Sequence, residues 1–251
     1  MKWSDEGIIL SVVPFSENEA RLSVLTQNNG RQSGLYRLLK RQPSLHIGDM
    51  VVVTWNARLS EHLGRFVVER KISLASRMFN DPWKLWLLQH ACGLMTTLPE
   101  RHSYPQLYTH LMDLLLHITM DSDYTAFAHM SCFEKITLAE LGFGIDLSMC
   151  CLNQTTEHLA YISPKTGRAI SMKAATEGEA HAYINQLLPL PPFWLTHMNY
   201  EKNSIPQWHD ILNGFRVMEH FWHKWLFNEK QTFPSIRRMI ITYTEKKVAL
   251  I

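Results

Sequence analysis

The hydrophobic period of this chain changes once, at Asp81-Pro82, and the change dictates two different kinds of packing on its two sides. Before it lie five short runs, 7–15, 20–27, 33–39, 49–59 and 64–74, rich in Val, Ile, Leu and aromatic residues. Asn28-Asn29-Gly30, His46-Ile47-Gly48-Asp49 and His62-Leu63-Gly64 punctuate them, as turn residues punctuate strands. So many strands in so short a stretch, with no helix-length insertion, hide their edges best by closing on themselves. A small OB-type barrel is expected, and an SH3-like barrel fits the same runs.

After Asp81-Pro82, residues 83–98, 104–119 and 124–141 carry apolar side chains at helical spacing. Pro82 and Pro105 stand at helix starts, where a missing N–H costs nothing, and Leu141-Gly142 reads as a stop. Thr176 with Glu179 forms a capping-box pattern before a helix over 180–188. Residues 208–227 make a long amphipathic helix, and Pro234 opens a last short one. The expected architecture is α+β: a barrel over 1–79 and a helical domain over 80–251, with an inserted loop region at about 145–175. With 46% hydrophobic and 19% charged residues, 251 positions suffice for a real core. No stretch approaches the ~20 apolar residues of a membrane span. Met1-Lys2-Trp3-Ser4-Asp5-Glu6 is not a signal-peptide pattern, so a cytoplasmic location is expected. Cys92, Cys132, Cys150 and Cys151 are expected as free thiols.

Nucleophile elbows, phosphate-binding glycine loops, dinucleotide fingerprints and His-Glu-x-x-His zinc sites are missing from the sequence. His220 and His223 sit among Phe221, Trp222 and Trp225 and read as core or surface residues, so no catalytic residue is expected. Residues 1–79 hold 11 Lys/Arg against 7 Asp/Glu, whereas the remainder is mildly acidic, which points to a polyanion partner for the first part. Arg31, Arg37, Lys40 and Arg41, with Tyr36 among them, and Arg58 and Arg65 from the next runs are the expected nucleic-acid contacts. In such a surface, cations track phosphates and rings stack on bases. Arg70 and Lys71 extend the basic run. In the helical part, Trp208, Phe215, Phe221, Trp222 and Trp225 recur along one helix beside isolated cations. They predict either a core or a groove for an acidic peptide ending in a large apolar residue, received by Lys135, Arg216 and Lys224. A protein–protein adaptor and a hydrolase built on His and Glu residues remain open as alternatives.

The segments "WSDEGIILSVVPFSENEARLSVLTQNNGRQSGLYR", "IGDMVVVTWNARLSEHLGRF", "CFEKITLAELGFGIDLSMCC", "YISPKTGRAIS" and "LLPLPPF", in this order, resemble the RecO family of recombination-mediator proteins. The resemblance implies an N-terminal OB-fold, a helical C-terminal domain and a non-enzymatic role. That role is binding single- and double-stranded DNA, annealing complementary strands, and helping RecA load onto DNA coated with single-strand-binding protein. The implied partners are RecR and the acidic C-terminal tail of the coating protein. Many members carry four zinc-binding cysteines where this chain reads Cys150, Asn153, Ser171 and Ala174, so a degenerate, metal-free knuckle is expected. An Arg that helps receive the acidic tail in some relatives is Cys132 here, with Lys135 the nearest cation.

Overall fold

The computed structural model describes residues 1–38, 44–59, 62–195, 206–227 and 232–250. Two compact units emerge, Met1–Asp123 with Phe233–Arg237 and Tyr124–Thr232 with Arg238–Ile251.

In the first unit, β1 (Lys2–Ser16), β2 (Glu19–Thr26), β3 (Gly30–Arg37), β4 (Met50–Asn56) and β5 (Gly64–Ile72) close into a barrel of order β1-β2-β3-β5-β4. β1 pairs antiparallel with both β2 and β4, while β3 meets β5 in parallel. That topology is the five-stranded Greek-key barrel of the OB-fold, which settles the choice between the two barrels. Alternate residues point inward, so Ile9, Leu22, Val24, Val51, Val53, Trp55 and Phe66 form one core. Tyr36 joins that core at 8% exposure. The expectation that it interleaves with the arginines is therefore corrected by strand parity: it points in where Arg37 points out. At the parallel seam Gly34 pairs with Gly64, and the Phe66 and Trp55 rings occupy the space their missing side chains leave.

Asp5 pins the β2–β3 turn from a neighbouring strand. Its carboxylate accepts hydrogen bonds from the backbone and side-chain N–H groups of both Asn28 and Asn29, at 2.8–3.2 Å. Burial pushes its pKa up, but these four donors outweigh burial and hold it below the usual 3.8. Its stabilising contribution is then complete above about pH 4 and is lost as the pH falls through the depressed folded value. Asp5→Ala is expected to cost about 2–4 kcal/mol, because charged acceptors are the strong ones. Urea melts at pH 7 measure that cost, and the gap between variant and wild type should shrink as the pH falls below 4.

Two α-helices and a short 3-10 turn (Ala75–Arg77) follow the barrel in this unit. α1 (Pro82–Met95) and α2 (Pro105–Met120) both begin on their prolines, as expected from the sequence. Gly48 serves α1 in two ways. Its φ of +82° closes the turn before β4, and a Cβ there would lie 2.4 Å from Leu88 on α1.

The second unit contains α3 (Asp123–Glu140, its first residue apart), α4 (Met172–Thr176), α5 (Trp208–Trp225) and α6 (Arg237–Val248, from Arg238 on). It also holds a small sheet of β6 (Leu159–Ile162), β7 (Ala169–Ser171) and β8 (Leu188–Pro189) in the order β7-β6-β8. α3 stops where the sequence indicates. Gly142 has a φ of +90°, its N–H donates to Ala139 O, and the Phe143 N–H reaches back to Leu138 O, a Schellman closure. Phe127 packs against Trp208, Phe215 and Tyr243 at ring separations of 5.1–6.5 Å. The helix expected over 180–188 is not an α-helix. Thr176 ends α4 instead of capping a new helix, and His181–Gln186 forms a kinked 3-10 segment with no buried residue. Without an apolar face to bury, the capping-box pattern alone does not nucleate a helix. Among the described residues, no helix is long and apolar enough to cross a membrane.

Candidate nucleic-acid interface

The strand registers assemble the outer face of the barrel row by row. Val13 faces Arg21, Arg21 faces Leu35, Leu35 faces Arg65, and Arg65 faces Asn56, a single row across all five strands. The next row places Glu19 opposite Arg37. Arg21, Arg37 and Arg65 are thereby gathered on the outside of β2, β3 and β5, all exposed. Arg58, also exposed, follows two residues after Asn56 in the β4–β5 loop. Among the described residues, Glu19 accepts from Arg65 at 2.6 Å in a solvent-facing pair. Phe15 is 59% exposed beside the β1–β2 turn, and Val67 on β5 is more open still.

The expected contacts divide on this map. Arg37, Arg58 and Arg65 come together on the open face. Lys40 and Arg41 lie outside the described residues. Arg31 is only 17% exposed: its Nε donates to Leu98 O at 2.7 Å and one Nη to Glu100 at 3.1 Å. Burial lowers its pKa and the Glu100 carboxylate opposes that shift. Arg70 and Lys71 are paired elsewhere, with Asp49 and Glu6. Arg21 was not anticipated. It is isolated in its own run, and only the cross-strand register brings it beside Arg65 and Arg37.

The three cations expected to receive a peptide, all in the second unit, meet three different neighbours. Lys135 Nζ donates to Trp194 O at 3.3 Å and lies over the Trp194 ring, and burial lowers its pKa. Arg216 approaches Glu245 at 3.7 Å, and Lys224 reaches the carbonyls of Pro164 and Lys165. Phe215, Phe221 and Trp222 are fully buried, so the apolar side of α5 is core. Cys132, at the position of the family Arg, is buried, and burial pushes its thiol up to about 12.

Two family models match successive parts of the chain. "Recombination protein O N terminal" matches residues 1–70 and "Recombination protein O C terminal" matches residues 80–206. The chain belongs to the RecO family. It is 33% identical to the DNA repair protein RecO of Anaplasma marginale (strain Florida), over 96% of this chain and 98% of that protein. It is 38% identical to the Methylobacterium nodulans DNA repair protein RecO, over 89% and 91% of the two chains. The Beijerinckia indica relative is 35% identical over 98% and 96%. This membership makes the protein a DNA repair protein of the RecO family.

The zinc knuckle found in many RecO proteins is not matched by the donors here. Ala174 has no ligand atom, and Ser171 Oγ is engaged by the Asn153 side chain at 3.1 Å and by the Ala174 N–H at 3.3 Å as the cap of α4. Burial pushes the Cys150 thiol up. Donations from the Asn153, Ser171 and Leu152 backbone and from the Ser171 hydroxyl outweigh burial and hold it below its usual value. The loop is tied to β7 by the Cys151 N–H donating to Ala169 O at 2.9 Å and by the Asn153 side chain donating to Ser171 Oγ, with Ile170, Ala174, Ala175, Ala180 and Leu187 packed with Cys150 in one apolar cluster. Purified protein is expected to contain well under one zinc per chain and to keep its melting temperature in chelator. Stoichiometric metal by elemental analysis would contradict this, since structural zinc contributes folding energy outright.

Proposed function

We propose that this chain is a non-enzymatic recombination mediator that binds single- and double-stranded DNA through the outer face of its barrel. In this reading it anneals complementary strands and, with RecR, helps RecA load onto DNA coated with single-strand-binding protein. The barrel at 1–79 carries nucleic acid and the helical region at 80–251 carries protein partners. The observation that carries the reading is the row of Arg21 and Arg65 with Arg37 beside it and Arg58 in the adjoining loop. OB-folds bind oligonucleotides on the β2–β3 side between the β1–β2 and β4–β5 loops, which is where these cations and Phe15 lie. Lys40 and Arg41, in the β3–β4 connection, belong to the same proposal. Arg31 lies on the same side of β3 as Arg37, its charge already matched by Glu100.

Guanidinium groups fit phosphate oxygens and make no demand on base sequence, as annealing of arbitrary strands requires. Mixing two complementary labelled strands with the protein tests this: energy transfer should rise much faster than in buffer alone. No acceleration together with no binding at low salt would leave the adaptor reading.

For the acidic tail of single-strand-binding protein, we propose Lys135 as the charge anchor, with Arg216 and Lys224 as outlying cations. Lys135 is largely buried, and among the described residues no carboxylate pairs with it, so an incoming carboxylate restores what burial costs its ammonium. Calorimetry with the tail peptide should give binding that Lys135→Glu abolishes. Binding unchanged in that variant would move the site elsewhere.

A further inference from the structure

A second row crosses the same barrel face, one step from the arginine row. Ser11 on β1, Ser23 on β2 and Ser33 on β3 stand directly opposite one another. The alignment is built in: a bulge in β1 between Ile9 and Ser11 brings Ser11, instead of Leu10, opposite Ser23. The three serines line a depression together with Val13, Arg21, Arg31 and Thr96. Several of the polar groups around it are already occupied. Ser33 Oγ donates to Glu100, Thr96 Oγ1 donates to Gly93 O, and Arg31 holds Leu98 O and Glu100. Ser23 is different: it is 7% exposed, and its Oγ is buried with no hydrogen-bond partner among the described residues. A buried hydroxyl left without a partner is destabilising, and native structures rarely keep one without a use.

We propose that this depression seats one phosphate. Arg21, exposed at its rim, supplies the guanidinium, and the Ser11 and Ser23 hydroxyls donate to the phosphate oxygens. Arg31 adds positive charge from the wall, offset by Glu100, so the lining remains net positive through Arg21. This inference rests on the DNA-binding reading. It deepens that reading by fixing where a strand crossing from β1 to β5 places one of its backbone phosphates, beside the cations that track the others. Inorganic phosphate is the same chemistry from a second source.

The test uses the full chain, a labelled thymidine oligonucleotide and, separately, inorganic phosphate. Ser11→Ala with Ser23→Ala removes two hydroxyls and no charge. It is expected to weaken oligonucleotide binding about tenfold while leaving the salt dependence unchanged. Arg21→Gln is expected to weaken binding and also to reduce the slope of log affinity against log salt by about 0.7, the share of one phosphate in a single strand. Because the Ser23 hydroxyl has no partner in the fold, Ser23→Ala should keep or raise the melting temperature, whereas a purely structural serine would lower it. If wild type binds the oligonucleotide and the double serine variant binds equally well, the seat is overturned while the DNA reading stands. If wild type binds no DNA, the DNA reading fails and phosphate decides the seat. Phosphate-induced shifts of the Arg21 and Ser23 amide resonances that vanish in the double variant support a site for free phosphate, and no shifts overturn it.

Discussion

Reversing three charges together, Arg37→Glu, Arg58→Glu and Arg65→Glu, is expected to lower affinity for single-stranded DNA by more than about 100-fold at low salt. Each arginine that neutralises a phosphate releases a condensed counterion, at about 0.7 of a slope unit per phosphate for single strands, so losing three should flatten the salt dependence by about 2. The added carboxylates repel the strand and deepen the loss. The variant should remain folded. Arg37 and Arg58 are exposed, and Arg65 is 65% exposed in a solvent-facing pair with Glu19, the kind of pair worth about 0–1 kcal/mol. Loss of binding should be equal for thymidine and mixed-sequence strands, because phosphate contacts carry no base information. Anisotropy titrations, with circular dichroism to check the fold, measure this. A folded variant that binds as wild type does would remove the arginine face from the account.

The largest stability effect is expected at the barrel seam. A Cβ on Gly64 would stand 2.1 Å from the Trp55 indole, far inside any real contact. Trp55 cannot easily give way. It is 2% exposed, stacks on Trp3 at 5.7 Å, and donates through Nε1 to Ser33 O. Gly64→Ala must therefore move the ring, break that hydrogen bond or open the parallel β3–β5 pairing, at about 3 kcal/mol or more. For a chain of this size the melting temperature should drop by roughly 6–12 °C. DNA binding should weaken as well, since Arg65 is the next residue. Gly144→Ala is the control: the nearest atom would be 3.6 Å away, an ordinary contact, and stability should change by less than about 0.5 kcal/mol. Scanning calorimetry on the two variants gives the comparison.

The barrel could be read from the sequence because the strands announce themselves locally, through alternating apolar residues and the glycines at or just before the starts of β3, β4 and β5. Pro82, Pro105 and Gly142 are equally local, and each marks a helix end where expected. The site was only partly legible because it is a product of register, which a closed barrel sets by pairing distant strands. Arg21 has no basic neighbours along the chain and acquires them only when β2 lies beside β3 and β3 beside β5. Arg31 and Arg37 look equivalent in one run and point to the same side of β3, yet Leu98 and Glu100 occupy the first and not the second. Tyr36, between them in the sequence, faces the core. The capping-box pattern at Thr176 fails for the opposite reason: it is a correct local signal with no apolar face behind it. In the loop before β7 the sequence shows residue types but not their pairing: Asn153 and Ser171, eighteen positions apart, bond to each other only once the loop folds back on that strand.

The most direct test of the central claim is the affinity of the unmodified protein for a single-stranded oligonucleotide across a range of salt. With Arg21, Arg37, Arg58 and Arg65 each neutralising one phosphate, log affinity should fall linearly with log salt with a slope of about −3, steepening to about −4 as Lys40 and Arg41 each take one more. No binding at low salt, or binding that salt does not weaken, would contradict the account.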